Sequence, residues 1–74
     1  MTPTQCRMAR AGLKLSAVDL AKAARVGYAT VARFESGKTV QPDMIERLRQ
    51  TLAAAGAVFN NGGRLVGASV PRAD

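Results

Sequence analysis

Tyr28, Ala29, Ala32, Arg33 and Ser36 recur at the three- and four-residue spacing of one helix face, in the segment YATVARFES. Val31 and Phe34 take the opposite face and point to a core. The outward stripe carries no large aliphatic residue, so its chemistry is polar recognition. The Arg33 guanidinium has the planar fork that binds guanine O6 and N7. Ala29 and Ala32 keep the face slim enough to seat in a major groove, and their methyls can touch thymine methyls. Tyr28, in the first turn, can reach a base edge or a phosphate. These four residues are the expected DNA base contacts.

Other chemistries have less to work with. The chain has no histidine, which excludes the usual Cys/His zinc site. Cys6 is the only cysteine, so no disulfide within the chain is expected, and it reads as a small core residue. The five acids are not paired at catalytic spacing, so no enzyme, metal or cofactor is expected. Eleven lysines and arginines give a formal charge of +6, which favours polyanionic partners, nucleic acid first. The cations are spread along the chain and do not form a tail, which suits a folded basic face. The start, MTPTQCRMARAG, lacks the apolar run of a signal peptide, and no segment is long enough to span a bilayer. The expectation is a cytoplasmic, nucleoid-associated protein with no membrane partner.

Seventy-four residues make one small domain with a thin core. Thr2-Pro3-Thr4-Gln5 is a helix start with a capping box, and the first helix is expected from about Pro3 to Leu13, with Cys6, Ala9, Arg10 and Leu13 on one face. Ser16-x-x-Asp19 caps a second helix, Ala17 to Ala24, with Leu20, Ala21 and Ala24 as its buried stripe. Arg25-Val26-Gly27 is a turn. A third helix spans Tyr28 to Ser36 and is ended by Gly37. Pro42 opens a fourth helix, expected to run to Ala55, with Ile45, Leu48 and Leu52 inward and Asp43–Arg47 and Glu46–Gln50 four apart outside. Ala57 to Val66 then reads as two short strands around an Asn61-Gly62 turn, which sets Val58 opposite Leu65 and Phe59 opposite Arg64. The fold expected is mainly α: four helices followed by a short C-terminal β-strand or hairpin. Residues 1–56 form the DNA-binding unit, 57–70 the β segment and 71–74 a disordered tail.

The run Ser16 to Lys38 has the layout of a helix-turn-helix, which lays its second helix in the major groove. Gln5 to Leu52 resembles the phage repressor and Cro (XRE-like) family. The residues that carry the resemblance are Leu20-Ala21, Val26, Thr30-Val31, Phe34-Glu35, Gly37-Lys38 and Pro42, at the family's spacing without gaps. It implies a partly buried ion pair between Arg10 and Glu35, each a charge on an otherwise buried face. It also implies phosphate contacts from Lys38, Thr39 and Gln41 on the loop after the third helix. Ser16, the Ala17 N–H and the Gly27 N–H, all at helix N-termini, complete the expected phosphate contacts. The chain departs from the family where Lys14 and Arg25 stand in place of glycines that tend to need positive φ, and where Gly27 replaces a Ser or Thr cap. The β segment also stands where longer phage repressors have a fifth helix.

The resemblance implies a bacterial or phage transcriptional regulator, a repressor that reads palindromic DNA as a homodimer. Val58, Phe59, Leu65 and Val66 are the expected dimer interface, because a lone hairpin leaves them uncovered. The alternative is a DNA-binding antitoxin whose terminal strands hold a toxin. A third reading is a protein-interaction module that has lost DNA binding.

Overall fold

A computed structural model describes residues 1–62 and 65–72. Four helices are followed by a two-stranded antiparallel sheet: α1 (Pro3–Gly12), α2 (Ala17–Ala24), α3 (Tyr28–Glu35), α4 (Pro42–Ala54), β1 (Val58–Asn60) and β2 (Gly67–Ser69). The helix starts follow local chemistry. The Thr2 and Ser16 side chains accept from the N–H groups of Gln5 and Asp19, and both return bonds close, giving two complete capping boxes. Pro3 and Pro42 stand in the first turns of α1 and α4.

The four helix ends share one geometry. Lys14, Arg25, Gly37 and Gly56 have φ of 59°, 58°, 83° and 105°. The next N–H of each turn reaches back five residues: Leu15 to Arg10, Val26 to Ala21, Lys38 to Arg33 and Ala57 to Leu52, at 2.9–3.0 Å. These are Schellman turns. In three of them the residue that follows is apolar: Leu15 and Val26 pack against the core and Ala57 is buried within it. α1 thus ends at Gly12 and α4 at Ala54, with Leu13 and Ala55 as caps, one residue short of each expected end.

Cys6, Ala9, Leu20, Val31, Leu48 and Leu52 are buried, with Phe34 5 % exposed, so every helix gives its apolar stripe to one core. Burial of this surface is the main stabilising term, at about 25 cal/mol per Å² of apolar area.

The hairpin differs from its expected form. β1 pairs with β2 as Val58↔Ser69, Phe59↔Ala68 and Asn60↔Gly67, so Leu65 and Val66 lie in the connecting loop, and Arg64 lies outside the described residues. The period-two pattern gives the reason. Ala57, Phe59, Ala68 and Val70 all pack on the core from the inward face of the sheet. A two-residue turn would have set the Arg64 cation on that face beside Phe59. The sheet lies against α1, and the buried Gln5 amide ties it there by donating to Asn60 O at 2.9 Å and Gly67 O at 3.1 Å. Val70 fills the space over Gly12, where an added Cβ would meet its Cγ2 at 2.7 Å, and the Pro71 ring lies over Gly56.

Candidate nucleic-acid interface

The reading face of α3 follows from its two anchors. Val31 and Phe34 are buried, which turns Tyr28, Ala29, Ala32 and Arg33 outward; all four are exposed, Tyr28 by 57 %. Ser36 caps the helix end and its hydroxyl donates to Arg33 O. The Arg33 Nη2 donates to Thr39 O at 3.3 Å, which holds the guanidinium beside the loop that follows α3. Lys38, Thr39 and Gln41 on that loop are exposed. The structure therefore places Arg33 and the three loop residues on neighbouring surface.

Ser16 caps α2. Its Oγ accepts from the Asp19 N–H at 3.0 Å, and its N–H donates to Asp19 Oδ2 at 3.2 Å. The Ala17 and Val18 N–H groups in the first turn have no acceptor within their own helix. The Asp19 carboxyl is held below its ordinary pKa, first by the Ser16 N–H and then by the Ser16 hydroxyl, so it is ionised at neutral pH. A phosphate at this helix start therefore meets one negative charge as well as the donors. Gly27 starts α3 with extended backbone, no side-chain cap and open space around a hypothetical Cβ.

Behind the reading face, α1 fastens α3 through one residue. Arg10 Nε and Nη2 donate to Glu35 Oε2 and Oε1, both at 2.9 Å, in a two-pronged ion pair; the side chains are 24 % and 11 % exposed. The third Arg10 nitrogen donates to Leu15 O at 3.2 Å, which steadies the turn after α1. The hydrogen bond to Glu35 is the main cause that raises the Arg10 pKa above its usual value. The Cys6 thiol, fully buried, donates to Glu35 Oε2 at 3.3 Å. Burial first, then the hydrogen bond and charge of Glu35, push that thiol up to about 12. Arg7 Nη1 donates to the Glu35 carbonyl and its Nη2 to Thr4 Oγ1.

The residues expected to join copies are divided. Val58, Leu65 and Val66 are exposed by 59 %, 79 % and 45 %, whereas Phe59 packs on its own core. Arg47 does not pair with Asp43; its Nη1 donates to Arg25 O at 3.3 Å, because the turn after α2 brings that carbonyl within reach. Glu46 pairs with Arg49, one helical turn on, and this hydrogen bond is the main cause that lowers the Glu46 pKa.

Two contributors were not legible as such: Arg7, and Gln5, which reads as a cap but also binds the hairpin. The signal for Gln5 was its place beside Cys6 and one turn before Ala9, where a buried amide must find partners.

Among the described residues no helix is long and apolar enough to cross a membrane, and no cluster of metal-binding side chains is present. No curated protein matches the chain. The helix-turn-helix family model matches residues 7–53, more than half of the chain, from the middle of α1 to the last turn of α4. With two helices joined by a Schellman turn and the second presenting a slim, cationic outer face, the chain belongs to the XRE-like helix-turn-helix family of DNA-binding transcription regulators.

Proposed function

We propose that the protein is a sequence-specific repressor that binds palindromic operator DNA as a homodimer, with the recognition segment Tyr28 to Ser36 in the major groove. Arg33 reads guanine, Ala29 and Ala32 pack against thymine methyls, and Tyr28 meets a base edge or the backbone at the helix start. Ser16, Ala17, Gly27, Lys38, Thr39 and Gln41 hold phosphates on either side. The observation that carries this reading is the α3 face itself: four exposed residues with only alanine, tyrosine and arginine side chains, backed by a buried Val31 and Phe34.

Dimerisation rests on Val58, Leu65 and Val66, three exposed apolar side chains of the hairpin. Phe59 serves the monomer core. A homodimer of this kind reads two half-sites about 34 Å apart, one turn of DNA.

Selection of bound duplexes from a random pool tests the reading. The expected result is a two-fold-symmetric motif, with Arg33→Ala relaxing the preference at one guanine per half-site. A pool with no enriched motif, together with unchanged binding by the variant, overturns it.

A further inference from the structure

We infer that Gln5 is a positioning residue that sets which half-site spacing the protein accepts in its DNA; the inference rests on the homodimer reading above. The Gln5 side chain is fully buried, and both of its polar atoms are bonded. Its Oε1 accepts from the Thr2 N–H at 2.9 Å, and its Nε2 donates to Asn60 O and Gly67 O at 2.9 and 3.1 Å. Asn60 and Gly67 face one another across the sheet, so one amide grips both strands.

Among the described residues, and apart from the turn that leads from α4 into Ala57, these two donations are the only hydrogen bonds between the helices and the sheet. The remaining contacts are apolar: Ala57, Phe59, Ala68 and Val70 on the core, with Val70 over Gly12. Apolar burial is non-directional, so it holds the sheet down without fixing its angle. Hydrogen bonds to two carbonyls are directional, and they fix it.

That angle matters because α1 joins the two working parts. Gln5 lies in the first turn of α1; Arg10, about 7.5 Å further along the axis, holds Glu35, the last residue of α3, in the two-pronged ion pair. Arg7, between them, donates to the Glu35 carbonyl. The sheet end of the rod carries the exposed Val58 and Val66, proposed above to meet the second copy. A rotation of the sheet on α1 therefore moves one recognition helix relative to the other. DNA registers such a movement, since each base pair between half-sites turns them by about 35° and separates them by about 3.4 Å. A rigid joint accepts one spacing, and a loose joint accepts several.

The test measures binding of the full chain to duplexes that carry two selected half-sites, their separation stepped one base pair at a time around about 10 base pairs. The native protein is expected to prefer one spacing over its neighbours by about ten-fold or more. Gln5→Glu keeps the acceptor for the Thr2 N–H but sets a carboxylate against two carbonyl oxygens. Gln5→Met removes donor and acceptor without adding charge, and carries the test if Gln5→Glu does not fold. Each is expected to bind a single half-site within about two-fold of the native affinity, and to lower the preference among spacings to about two-fold. Thr2→Ala weakens the same helix start without touching the Nε2 donors, so it is expected to keep the native optimum. Three results overturn the inference: variants that keep the native spacing optimum, single half-site affinity that falls as far as two-site affinity, and a Thr2→Ala profile as flat as theirs. A native protein that shows no spacing optimum, or sediments as a monomer on the duplex, overturns the homodimer reading, and the role of Gln5 falls with it; that failure is seen before any variant is made.

Discussion

Glu35 receives three side-chain hydrogen bonds on its carboxylate and one on its carbonyl, all from α1. Its truncation leaves the Arg10 cation half-buried without its partner. Breaking such a pair costs about 3 kcal/mol at the low end of the usual range. For a domain this small, Glu35→Ala is therefore expected to lower the melting temperature by roughly 10–20 °C, read by circular dichroism. An unchanged melting curve would deny the pair its structural role. The Cys6 thiol gives a second prediction. Its folded pKa of about 12 lies above the ordinary value of 9.0, so the folded state keeps a proton that the unfolded chain gives up. The stabilisation is whole below pH 9 and is lost as pH rises from 9 towards 12, with a slope of up to about 1.4 kcal/mol per pH unit. Cys6→Ala is expected to lose less stability across that window than the native chain. Parallel pH curves for the two proteins would show that the thiol is not the titrating group.

At the scale of elements, four helices end in the same left-handed turn, two on glycine and two on cations. Lys14→Gly is expected to stabilise the fold by about 0.5–1 kcal/mol, the backbone strain relieved less the extra entropy glycine gives the unfolded chain. Chemical denaturation reads this directly, and a loss of stability would mean that the Lys14 side chain makes up for its backbone. The bare start of α3 gives a prediction in which folding and binding separate. A Cβ at Gly27 meets open space, and the backbone there suits any residue. Gly27→Asp is expected to raise stability by a few tenths of a kcal/mol, as a better cap on the helix dipole. It is also expected to weaken DNA binding, because it adds a carboxylate beside the backbone N–H proposed to meet phosphate. Gly27→Ser adds the cap without the charge and is expected to keep DNA binding. Equal operator affinities for the two variants would remove Gly27 from the phosphate contacts.

For the whole molecule, the hairpin is part of the fold before it is part of any assembly. Ala57, Phe59, Ala68 and Val70 cover the core, so truncation after Gly56 removes packing and not only a surface. Val58→Lys with Val66→Lys is the cleaner test of dimerisation, since both side chains are exposed. The pair is expected to sediment as a folded monomer and to lose cooperative binding to a palindrome. A variant still dimeric would place the joint elsewhere. With a charge of +6 and the phosphate contacts proposed above, affinity is expected to fall about a thousand-fold or more between 50 and 200 mM salt for roughly six or more phosphates. A flat salt profile by fluorescence anisotropy would mean that phosphate contacts are not what holds the duplex.

The helices, their capping boxes, the glycine-ended turns and the inward and outward faces of α3 could all be read from residue order. Each depends on neighbours within about one helical turn, and the chemistry of a cap or a 3.6-residue stripe is complete at that distance. The strand pairing could not be read in this way. The Asn61-Gly62 signal is local, but Ala68 faces Phe59 because the sheet must show α1 an apolar face and answer the buried Gln5 amide, demands that arise 55 and 62 residues away. Arg47 bonds to a carbonyl 22 residues distant and not to the acid one turn before it for the same reason. Where a side chain's partner lies far along the chain, only packing selects it.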